Sequence, residues 1–328
     1  GQIQRIIGLR DDMDALPIVE TSGLPYASRH SGKMHACGHD GHTAMLLAAG
    51  QCLAQSIDFD GSVRLIFQPA EEGFLGAKRM VEDGLFQRFP CDAVFALHNW
   101  PGLPVGCFGF LPGAFMASAD TVTIRINGRG GHGAMPHETA DPVVAAASLV
   151  MALQTVVARN LPPLDMGVVG IGSIHGGGSS TVVPTCVELA ITVRALKEAT
   201  RRLLLQRIEA LAHAQAAAFG TTAEVTVDAN AYPVLYNHPE ETDLARSVAL
   251  SWLGEDGVVP DMQPMTCSEY FSSMLKACPG SYLIMGNGQG TEGGCPLHNP
   301  GYDFNDAALP YGASYWVKLV STYLKPAD

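Results

Sequence analysis

The sequence predicts an α/β protein of two domains, in which the second domain is inserted into the first. The length of 328 residues exceeds the usual size of a single hydrophobic core. Short apolar runs with strand character alternate with helical stretches over residues 1 to 115, and this alternation is typical of layered α/β proteins. A separate series of strands and helices interrupts it from about residue 117 to 228.

The first stretch places polar residues at the ends of apolar strands. Strand character is found in RIIGL, VRLIFQ and AVFALHN, and helical character in HTAMLLAAGQCLAQ and AKRMVEDGLF. In such folds the functional residues lie at strand ends. Glu71, Glu72 and His98 fall at such ends, so we expect them to take part in a site.

The middle stretch predicts the element order βαββαβ. The alternating strand TVTIRI is followed by Asp141 and Pro142, which predict the cap and first turn of a long helix. Two further strands follow, and then a second helix that Thr200 is expected to cap and that ends before Gly220. A strand around Val225 closes the series, which is the order of a ferredoxin-like module.

The α/β pattern resumes after this module with a helix in DLARSVALSWLG and a strand in GSYLIMGNG. We therefore predict a discontinuous first domain of residues 1–116 and 229–328, interrupted by an inserted domain of residues 117–228. Under this division His298 belongs to the same domain as the residues before position 116.

Composition and charge favour a small-molecule partner. The formal charge of −12, without a cluster of Lys and Arg, argues against nucleic acid or an anionic membrane as partner. No segment approaches the roughly 20 continuous apolar residues of a membrane span. The eight cysteines form no CxxC pair, which indicates free thiols in a reducing compartment and predicts a cytoplasmic protein.

Five candidate metal ligands lie in short, separated runs of the predicted first domain: Cys37, His39, Glu72, His98 and His298. A thiolate can bridge two cations, while imidazole suits Zn, Co and Ni and, with carboxylates, Mn. Taken one by one, these residues are equally explained as a buried cysteine, helix-capping histidines or structural histidines. Because all of them fall in one predicted domain, a single metal site becomes the leading interpretation.

The adjacent carboxylates Glu71 and Glu72 suit metal-assisted hydrolysis. Neighbouring side chains diverge, so that one can bind a metal while the other moves protons. The alternative is a solvated acidic loop at the start of a helix. His35, His42 and His175 are interpreted as structural residues or as neighbours of the ligands.

Two motifs of other enzyme classes are incomplete or absent in this sequence. Gly128, Gly130 and Gly133 spell GxGxxG after a strand, yet no helix is predicted to begin at Gly133. No acidic residue follows at about 20 residues' distance, so dinucleotide binding is unsupported. The chain also contains no GxSxG, the nucleophile motif of many serine hydrolases.

The sequence resembles the metal-dependent amidohydrolases that include hippurate hydrolase, N-acyl amino acid deacetylases and plant auxin-conjugate hydrolases. The resemblance spans essentially the whole chain and is carried, in order, by RDDMDALP, MHACGHDGHTAMLL, FQPAEEG, ALHNWPGLPVG, GRGGHGAMPHETADP and LHNPGYDFND.

The resemblance implies a catalytic α/β domain with a mixed sheet and a dinuclear metal site, and an inserted ferredoxin-like domain through which subunits form a homodimer. It implies that two divalent ions, Mn, Zn, Co or Ni, are bound by the five candidate ligands named above. The assignment of general base to Glu71, and not to Glu72, is implied by the resemblance alone.

Three residues of the inserted domain match family positions whose roles are neither metal binding nor general base. His132 resembles the residue that stabilises the oxyanion, often in the active site of the partner subunit; a loop histidine bonded to backbone is the alternative. Arg194 resembles an arginine that binds the substrate carboxylate. A solvent-exposed strand arginine is its alternative. Thr181 stands where relatives usually have an Asn that contacts substrate.

Several positions depart from the family pattern. Asp11 replaces a usual Ala, and Tyr270 replaces a usual acidic residue. Relatives usually carry several dozen residues before the DMDALP strand, which the sequence lacks. The expected activity is hydrolysis of the amide bond of N-acyl amino acids. The alternatives are a dipeptidase or carboxypeptidase using the same site, or an inactive binding homologue or fragment.

Overall fold

The computed structural model describes residues 5–55 and 59–326. The strands are β1 (Ile6–Asp12), β2 (Ser62–Gln68), β3 (Ala93–Pro101), β4 (Phe108–Gly109), β5 (Gly113–Met116), β6 (Ser118–Asn127), β7 (Gly131–His132), β8 (Gly167–His175), β9 (Val182–Val183), β10 (Cys186–Ala195), β11 (Thr222–Val227), β12 (Leu235–Asn237) and β13 (Gly280–Gly288). The helices are α1 (His39–Gln55), α2 (Gly76–Glu82), α3 (Leu85–Arg88), α4 (Pro142–Asn160), α5 (Glu198–Ala218), α6 (Pro239–Leu253), α7 (Phe271–Leu275) and α8 (Leu309–Tyr323).

The chain divides into two compact units. The first comprises Gly1–Phe115, Leu235–Gln263 and Glu269–Asp328, and the second comprises Met116–Val234 and Pro264–Ser268. The second unit therefore interrupts the first along the chain.

The first unit is built on a mixed sheet with the strand order β2-β1-β3-β13-β4. The first four strands are parallel and β4 is antiparallel to β13, so the predicted α/β class with a mixed sheet is confirmed. Strand residues such as Leu9, Phe95 and Leu283 are completely buried together with Met45 of α1 and Trp316 of α8. The strands read as nearly continuous apolar runs because helices cover the sheet.

The register of the parallel strands brings several loops to one edge of the sheet. Asp12, at the end of β1, lies opposite Gln68, at the end of β2, and His98 in β3 lies opposite Ile284 in β13. The carboxyl ends of parallel strands form the usual site of ligand binding in an α/β sheet. The loop that carries Glu71 and Glu72 begins at this edge.

The second unit has the predicted ferredoxin-like element order. Its sheet has the strand order β11-β6-β10-β8 with antiparallel pairing throughout. Helices α4 and α5 pack on the sheet through a core that includes Leu149, Leu153, Leu204 and Ile208. The short strands β7 and β9 form a separate ribbon.

In the second unit the structure has the predicted cap of α4 but not the predicted cap of α5. Asp141 caps α4 as expected, because its carboxylate accepts the backbone N–H of Val143 at 2.8 Å. Thr200, in contrast, does not cap α5, which begins at Glu198. The Thr200 hydroxyl donates instead to the carboxylate of Asp165 at 3.2 Å.

Helix α4 is long and apolar enough, by length and composition alone, to cross a membrane. Ser148, Gln154 and Arg159 interrupt its apolar residues, so α4 is not the continuous apolar run of roughly 20 residues that the sequence was expected to lack. Several residues of α4 are buried in the core of the second unit, among them Ala145, Leu149 and Val156.

Candidate metal centre

Six predicted site residues lie in the first unit, on four separate segments. Cys37 precedes α1, His39 is the first residue of α1, and His98 belongs to β3. Glu71 and Glu72 follow β2, and His298 lies in the loop after β13.

These residues converge although they are distant in sequence. The Cys37 Sγ lies 3.4 Å from the His98 Nε2. The Glu72 Oε1 lies 3.2 Å from the His298 Nε2 and 3.9 Å from the His39 Nε2. Two sets of donor atoms, Cys37 with Glu72 and His298, and His39 with Glu71 and Glu72, each fall within 4.8 Å of one another.

His298 reaches this cluster from a loop of unusual backbone conformation. Its φ of 62° lies in the left-handed region, which is uncommon for a residue with a side chain. Its backbone N–H donates to the carbonyl of Ala36 at 2.7 Å, immediately before Cys37. The hydrogen bond ties the His298 loop to the Cys37 loop.

His39 and His98 present one ring nitrogen to the cluster in the manner of metal ligands. The Nδ1 of His39 donates to the carbonyl of Asp14 at 3.0 Å, and the Nδ1 of His98 donates to the carbonyl of Asn99 at 2.7 Å. Because a carbonyl only accepts, each Nδ1 carries a proton, so in the neutral ring the lone pair is on Nε2. Metal-binding histidines are oriented in this way by the hydrogen bond of the other nitrogen.

His42 is also buried beside these rings, but its hydrogen bonds exclude it as a ligand. Its Nδ1 donates to the Oδ1 of Asp12 at 2.6 Å, and its Nε2 accepts the backbone N–H of Asn99 at 3.0 Å. Both nitrogens are therefore occupied, and burial lowers the pKa of the ring to about 3 despite the nearby Asp12 carboxylate. His42 therefore contacts Asp12 and Asn99 behind the proposed ligands, and the structural role expected for it stays a prediction.

Several acidic groups of the centre are buried close to one another. Burial, reinforced by Glu269 and Glu72, raises the pKa of Glu71 well above its usual range. Burial, followed by the same Glu72 and then Glu71, likewise raises the pKa of the Cys37 thiol. Although burial opposes it, Asp12 and the hydrogen bond to Asp14 raise the pKa of His39 to about 9. A bound cation would neutralise this excess of negative charge.

A further observation supports the fit of the donor set to divalent cations. The His39 Nε2 is buried and, among the described residues, has no hydrogen-bond partner, although the Glu72 Oε1 lies 3.9 Å away. Buried polar atoms are normally satisfied, so this nitrogen indicates a missing ligand. Imidazole, thiolate and carboxylate together are donors that divalent transition metals accept.

Comparison with known proteins agrees with this chemistry. Residues 8–322 match the model of peptidase family M20/M25/M40. The chain belongs to the M20/M25/M40 peptidase family.

Relatives of this M20/M25/M40 chain include named hydrolases. It is 42% identical to hippurate hydrolase of Campylobacter jejuni, over 99% of the chain and 83% of that protein. It is 41% identical to N-acetyl-L-cysteine deacetylase of Bacillus subtilis, over 95% of the chain and 72% of that protein. It is 36% identical to thermostable carboxypeptidase 2 of Saccharolobus solfataricus, over 94% of the chain and 78% of that protein.

A solved structure also resembles the M20/M25/M40 chain. The Bacillus subtilis YxeP protein, described as a dinuclear metal-binding peptidase of the M20 family, superimposes with a TM-score of 0.83 at 32% identity. The match covers 100% of this chain and 84% of that one. Family membership and the donor cluster together support divalent metal at this centre.

A buried charge network behind the M20/M25/M40 metal centre was not predicted. Arg10 is fully buried and donates to Gln68, to Asp12 at 3.0 Å and to Glu269 at 3.0 Å. The hydroxyl of Tyr282 donates to the second oxygen of Glu269 at 3.2 Å. The signal in the sequence was an arginine at the end of an otherwise apolar strand.

Tyr270, one of the departures from the family pattern, contributes through its backbone. Its ring is fully buried, and its N–H donates to the Oε1 of Glu71 at 3.2 Å. This contact with Glu71 uses the backbone of Tyr270, so it does not depend on which side chain stands at position 270.

The remaining predicted residues of this M20/M25/M40 chain belong to the second unit. His132 lies on β7 and is exposed, and its Nδ1 accepts the N–H of Ala134 at 3.0 Å. Arg194 lies on β10 and donates to the Thr192 hydroxyl at 2.6 Å. Thr181 is exposed in the loop before β9. The roles expected for these three residues stay predictions.

Proposed function

We propose that the chain hydrolyses the amide bond of N-acyl amino acids, such as N-acetyl or N-benzoyl amino acids, to a carboxylic acid and a free amino acid. The observation that carries this proposal is the convergence of a thiol, three imidazoles and two adjacent carboxylates in the first unit. The names of the relatives, hippurate hydrolase and N-acetyl-L-cysteine deacetylase, indicate the same class of substrate.

Two divalent cations are held by Cys37, His39, Glu72, His98 and His298 in this proposal. The thiolate favours Zn, Co or Ni, and the histidines with the carboxylate also accept Mn. When bound, the cations supply a water of lowered pKa and polarise the carbonyl of the substrate.

Glu71 acts as the general base and then as the general acid. Its carboxylate takes a proton from the attacking water and delivers it to the nitrogen of the departing amino acid. The support for this role is its position: it lies beside Glu72 and His39, while its Oε1 is held by the N–H of Tyr270. A carboxylate fixed by a backbone donor is oriented for a defined proton transfer.

The inserted domain contributes the contacts that select the substrate. We assign the oxyanion of the transition state to His132, the carboxylate of the amino acid to Arg194, and a further substrate contact to Thr181. Each assignment rests on the family resemblance of its motif. An imidazole or a guanidinium is the kind of group that these anions require.

The functional form is a cytoplasmic homodimer that associates through residues 117–228. Strand β8 lies at the edge of the sheet of the second unit, with Val168 39% and Ile174 48% exposed. Met151 of α4 is 70% exposed. Edge strands and apolar patches of this kind are normally covered. Sedimentation of the purified chain tests the dimer.

Two matched variants test the proposed roles of the adjacent carboxylates. Glu71→Gln is expected to retain metal and lose turnover of N-acetyl and N-benzoyl amino acids. Glu72→Gln is expected to reduce the metal content per subunit. Chelation should abolish activity, and added Zn, Co, Ni or Mn should restore it. Activity of Glu71→Gln equal to the wild type would overturn the role of Glu71.

A dipeptidase or carboxypeptidase is the second candidate, because the Saccharolobus solfataricus relative is named a carboxypeptidase. The same centre would then act on a peptide bond. Comparing kcat/KM for N-benzoyl amino acids with that for dipeptides and for longer peptides decides between them. Metal binding without turnover of any of these would indicate a non-catalytic binding protein.

A further inference from the structure

We propose that Cys91 and Cys278 are a redox-active pair, which forms an intramolecular disulfide when a low-molecular-weight disulfide acts as the oxidant. Both residues belong to the first unit, and neither is a candidate ligand of the metal centre. The inference does not rest on the proposed function, because no step of the proposed hydrolysis uses either thiol.

The two cysteines are distant in sequence but adjacent in the fold. Cys91 lies shortly before β3 and Cys278 shortly before β13, and these strands are parallel neighbours in the sheet. The N–H of Val94 donates to the carbonyl of Pro279 at 2.9 Å and joins the amino ends of the two strands. The pair therefore lies at the amino ends of these strands, whereas the metal centre is built at the carboxyl ends.

A direct contact joins the two residues. The thiol of Cys278 donates to the backbone carbonyl of Cys91, and the Sγ lies 3.3 Å from that oxygen. Disulfide-bonded cysteines have Cα atoms about 4.4–6.8 Å apart, and neighbouring strands lie about 4.7–4.9 Å apart. The contact thus brings the two cysteines to the separation that a disulfide needs.

Closure requires a rotation of the Cys91 side chain. Its Sγ donates to the carbonyl of Phe89 at 3.7 Å, a long contact from a weak donor. A rotation about the Cα–Cβ bond of Cys91 breaks this contact and turns the sulfur towards Cys278. The backbone of the two strands keeps its hydrogen bonds.

The surroundings of the two thiols set the order in which they react. Cys278 is only 4% exposed, whereas Cys91 is half-buried. Burial raises the pKa of Cys278 to about 12 and that of Cys91 to about 11, although the charge of Arg64 opposes the shift at Cys91. The thiolate is the reactive form, so Cys91 reacts first and the reaction is faster at alkaline pH.

The reaction proceeds by two thiol–disulfide exchanges. The Cys91 thiolate attacks one sulfur of the oxidant, which forms a mixed disulfide and releases one thiolate. The Cys278 thiol then loses its proton and attacks the Cys91 sulfur, which forms the intramolecular bond and releases the second thiolate. The two protons lost by the cysteines go to the released thiolates. The two cysteines thus lose two electrons, and the oxidant is reduced to two thiols.

The expected consequence is a first unit that resists unfolding. The two cysteines are 187 positions apart in the chain, and a disulfide that closes a long loop restrains the unfolded chain strongly. Cys91 belongs to the segment before the second unit and Cys278 to the last segment after it. The bond would therefore join, covalently, two segments of the first unit that the second unit separates in sequence.

The test treats the wild-type protein with glutathione disulfide at mildly alkaline pH, alkylates the remaining thiols, and maps the peptides by mass spectrometry. Urea unfolding of the treated protein is measured before and after addition of dithiothreitol. The variants are Cys91→Ser and Cys278→Ser, where serine keeps a hydroxyl donor at position 278. Cys52→Ser is the matched control, because Cys52 is an exposed cysteine of α1.

We expect a peptide pair linked through Cys91 and Cys278 in the wild type and in Cys52→Ser. The urea midpoint of both should rise on oxidation and return with dithiothreitol. Cys91→Ser should give neither the linked pair nor the shift. Cys278→Ser should stop at the mixed disulfide, with one glutathione on Cys91.

A wild-type protein that carries glutathione on Cys91 without the linked pair would overturn the proposal. Linkage of either residue to another cysteine would also overturn it, as would unreacted Cys91 and Cys278 when Cys52 is fully modified. A linked protein with an unchanged urea midpoint would refute the stabilising role. If a serine variant does not fold, the peptide map of the wild type alone decides.

Discussion

Asn99 joins two segments of the candidate metal centre by donating from its Nδ2 to the carbonyl of Cys37 at 3.1 Å. The same nitrogen donates to the hydroxyl of Tyr302 at 2.8 Å. Because Asn99 follows His98 directly, this contact sets the position of Cys37 relative to His98. Gly38 permits it, since a Cβ built at that position would lie 1.8 Å from the Asn99 Nδ2.

We predict that Gly38→Ala displaces Asn99 and weakens metal binding by about 10–100-fold, the usual effect of losing a residue that orients a ligand. Isothermal titration with Zn or Co measures it. Gly23→Ala is the matched control, because Gly23 has a similar positive φ of 70° but nothing within 4 Å of an added Cβ. Equal metal affinity of the two variants would show that Asn99 has no such role.

Removing the charge of Asp11 should stabilise the protein at neutral and alkaline pH. Asp11 is fully buried, and its carboxylate interacts with the indole N–H of Trp316 but makes no well-formed hydrogen bond among the described residues. Burial, and then the charge of Asp12, raises its pKa well above the usual range. Unfolding therefore lets the group ionise, so the wild-type protein loses stability as pH rises above the ordinary pKa of Asp.

For Asp11→Asn we predict a gain of about 1–3 kcal/mol in the free energy of unfolding at pH 8, the size that the linkage between ionisation and folding gives for a shifted carboxyl, because the amide does not ionise when the chain unfolds. The gain should be much smaller at pH 4, close to the ordinary pKa of Asp, where only about half of the carboxyl is ionised in the unfolded state. Urea unfolding at the two pH values measures it. A gain that is the same at both would contradict the assignment.

Arg10→Met should be strongly destabilising. The guanidinium compensates the buried carboxylates of Asp12 and Glu269, whose side chains are 0% and 4% exposed. Removing one partner of a buried ion pair typically costs 3–5 kcal/mol. The control is Arg79→Met, because Arg79 pairs with Asp83 at the surface, where ion pairs contribute roughly 0–1 kcal/mol. Similar urea midpoints for both variants would contradict the prediction.

If His132 acts across the proposed dimer, activity should return when two inactive variants are mixed. His132→Ala supplies an intact Glu71, and Glu71→Gln supplies an intact His132. In a random mixture a heterodimer has one complete site, so partial recovery is expected after subunit exchange. The absence of recovery, with exchange shown by mass spectrometry, would place the histidine in its own subunit's site or outside catalysis.

Much of the architecture was predictable because it depends on periodic patterns. The alternating strands and the cap at Asp141 indicated the βαββαβ order, and the strand-end positions of Glu71 and Glu72 indicated a site at the sheet edge. The choice of Glu71 as the base came from the family resemblance and not from any pattern.

The supporting contacts were not predictable from the same patterns. Asp14 holds the backbone amides of Glu71 and Glu72, and Asn99 holds the carbonyl of Cys37. A backbone N–H or carbonyl is present at nearly every residue, so such partners leave no mark in the sequence. Thr200 was predicted as a helix cap from a local pattern, but a distant carboxylate, that of Asp165, accepts its hydroxyl.

The most direct test of the metal centre is a crystal structure of the protein loaded with Co or Zn, with the ions located by anomalous scattering. We predict two peaks per subunit, within coordination distance of the Cys37 Sγ, the Glu72 carboxylate and the imidazoles of His39, His98 and His298, with Glu71 beside them and not bound. Peaks elsewhere, or a single ion bound by His42 or Glu71, would contradict the account.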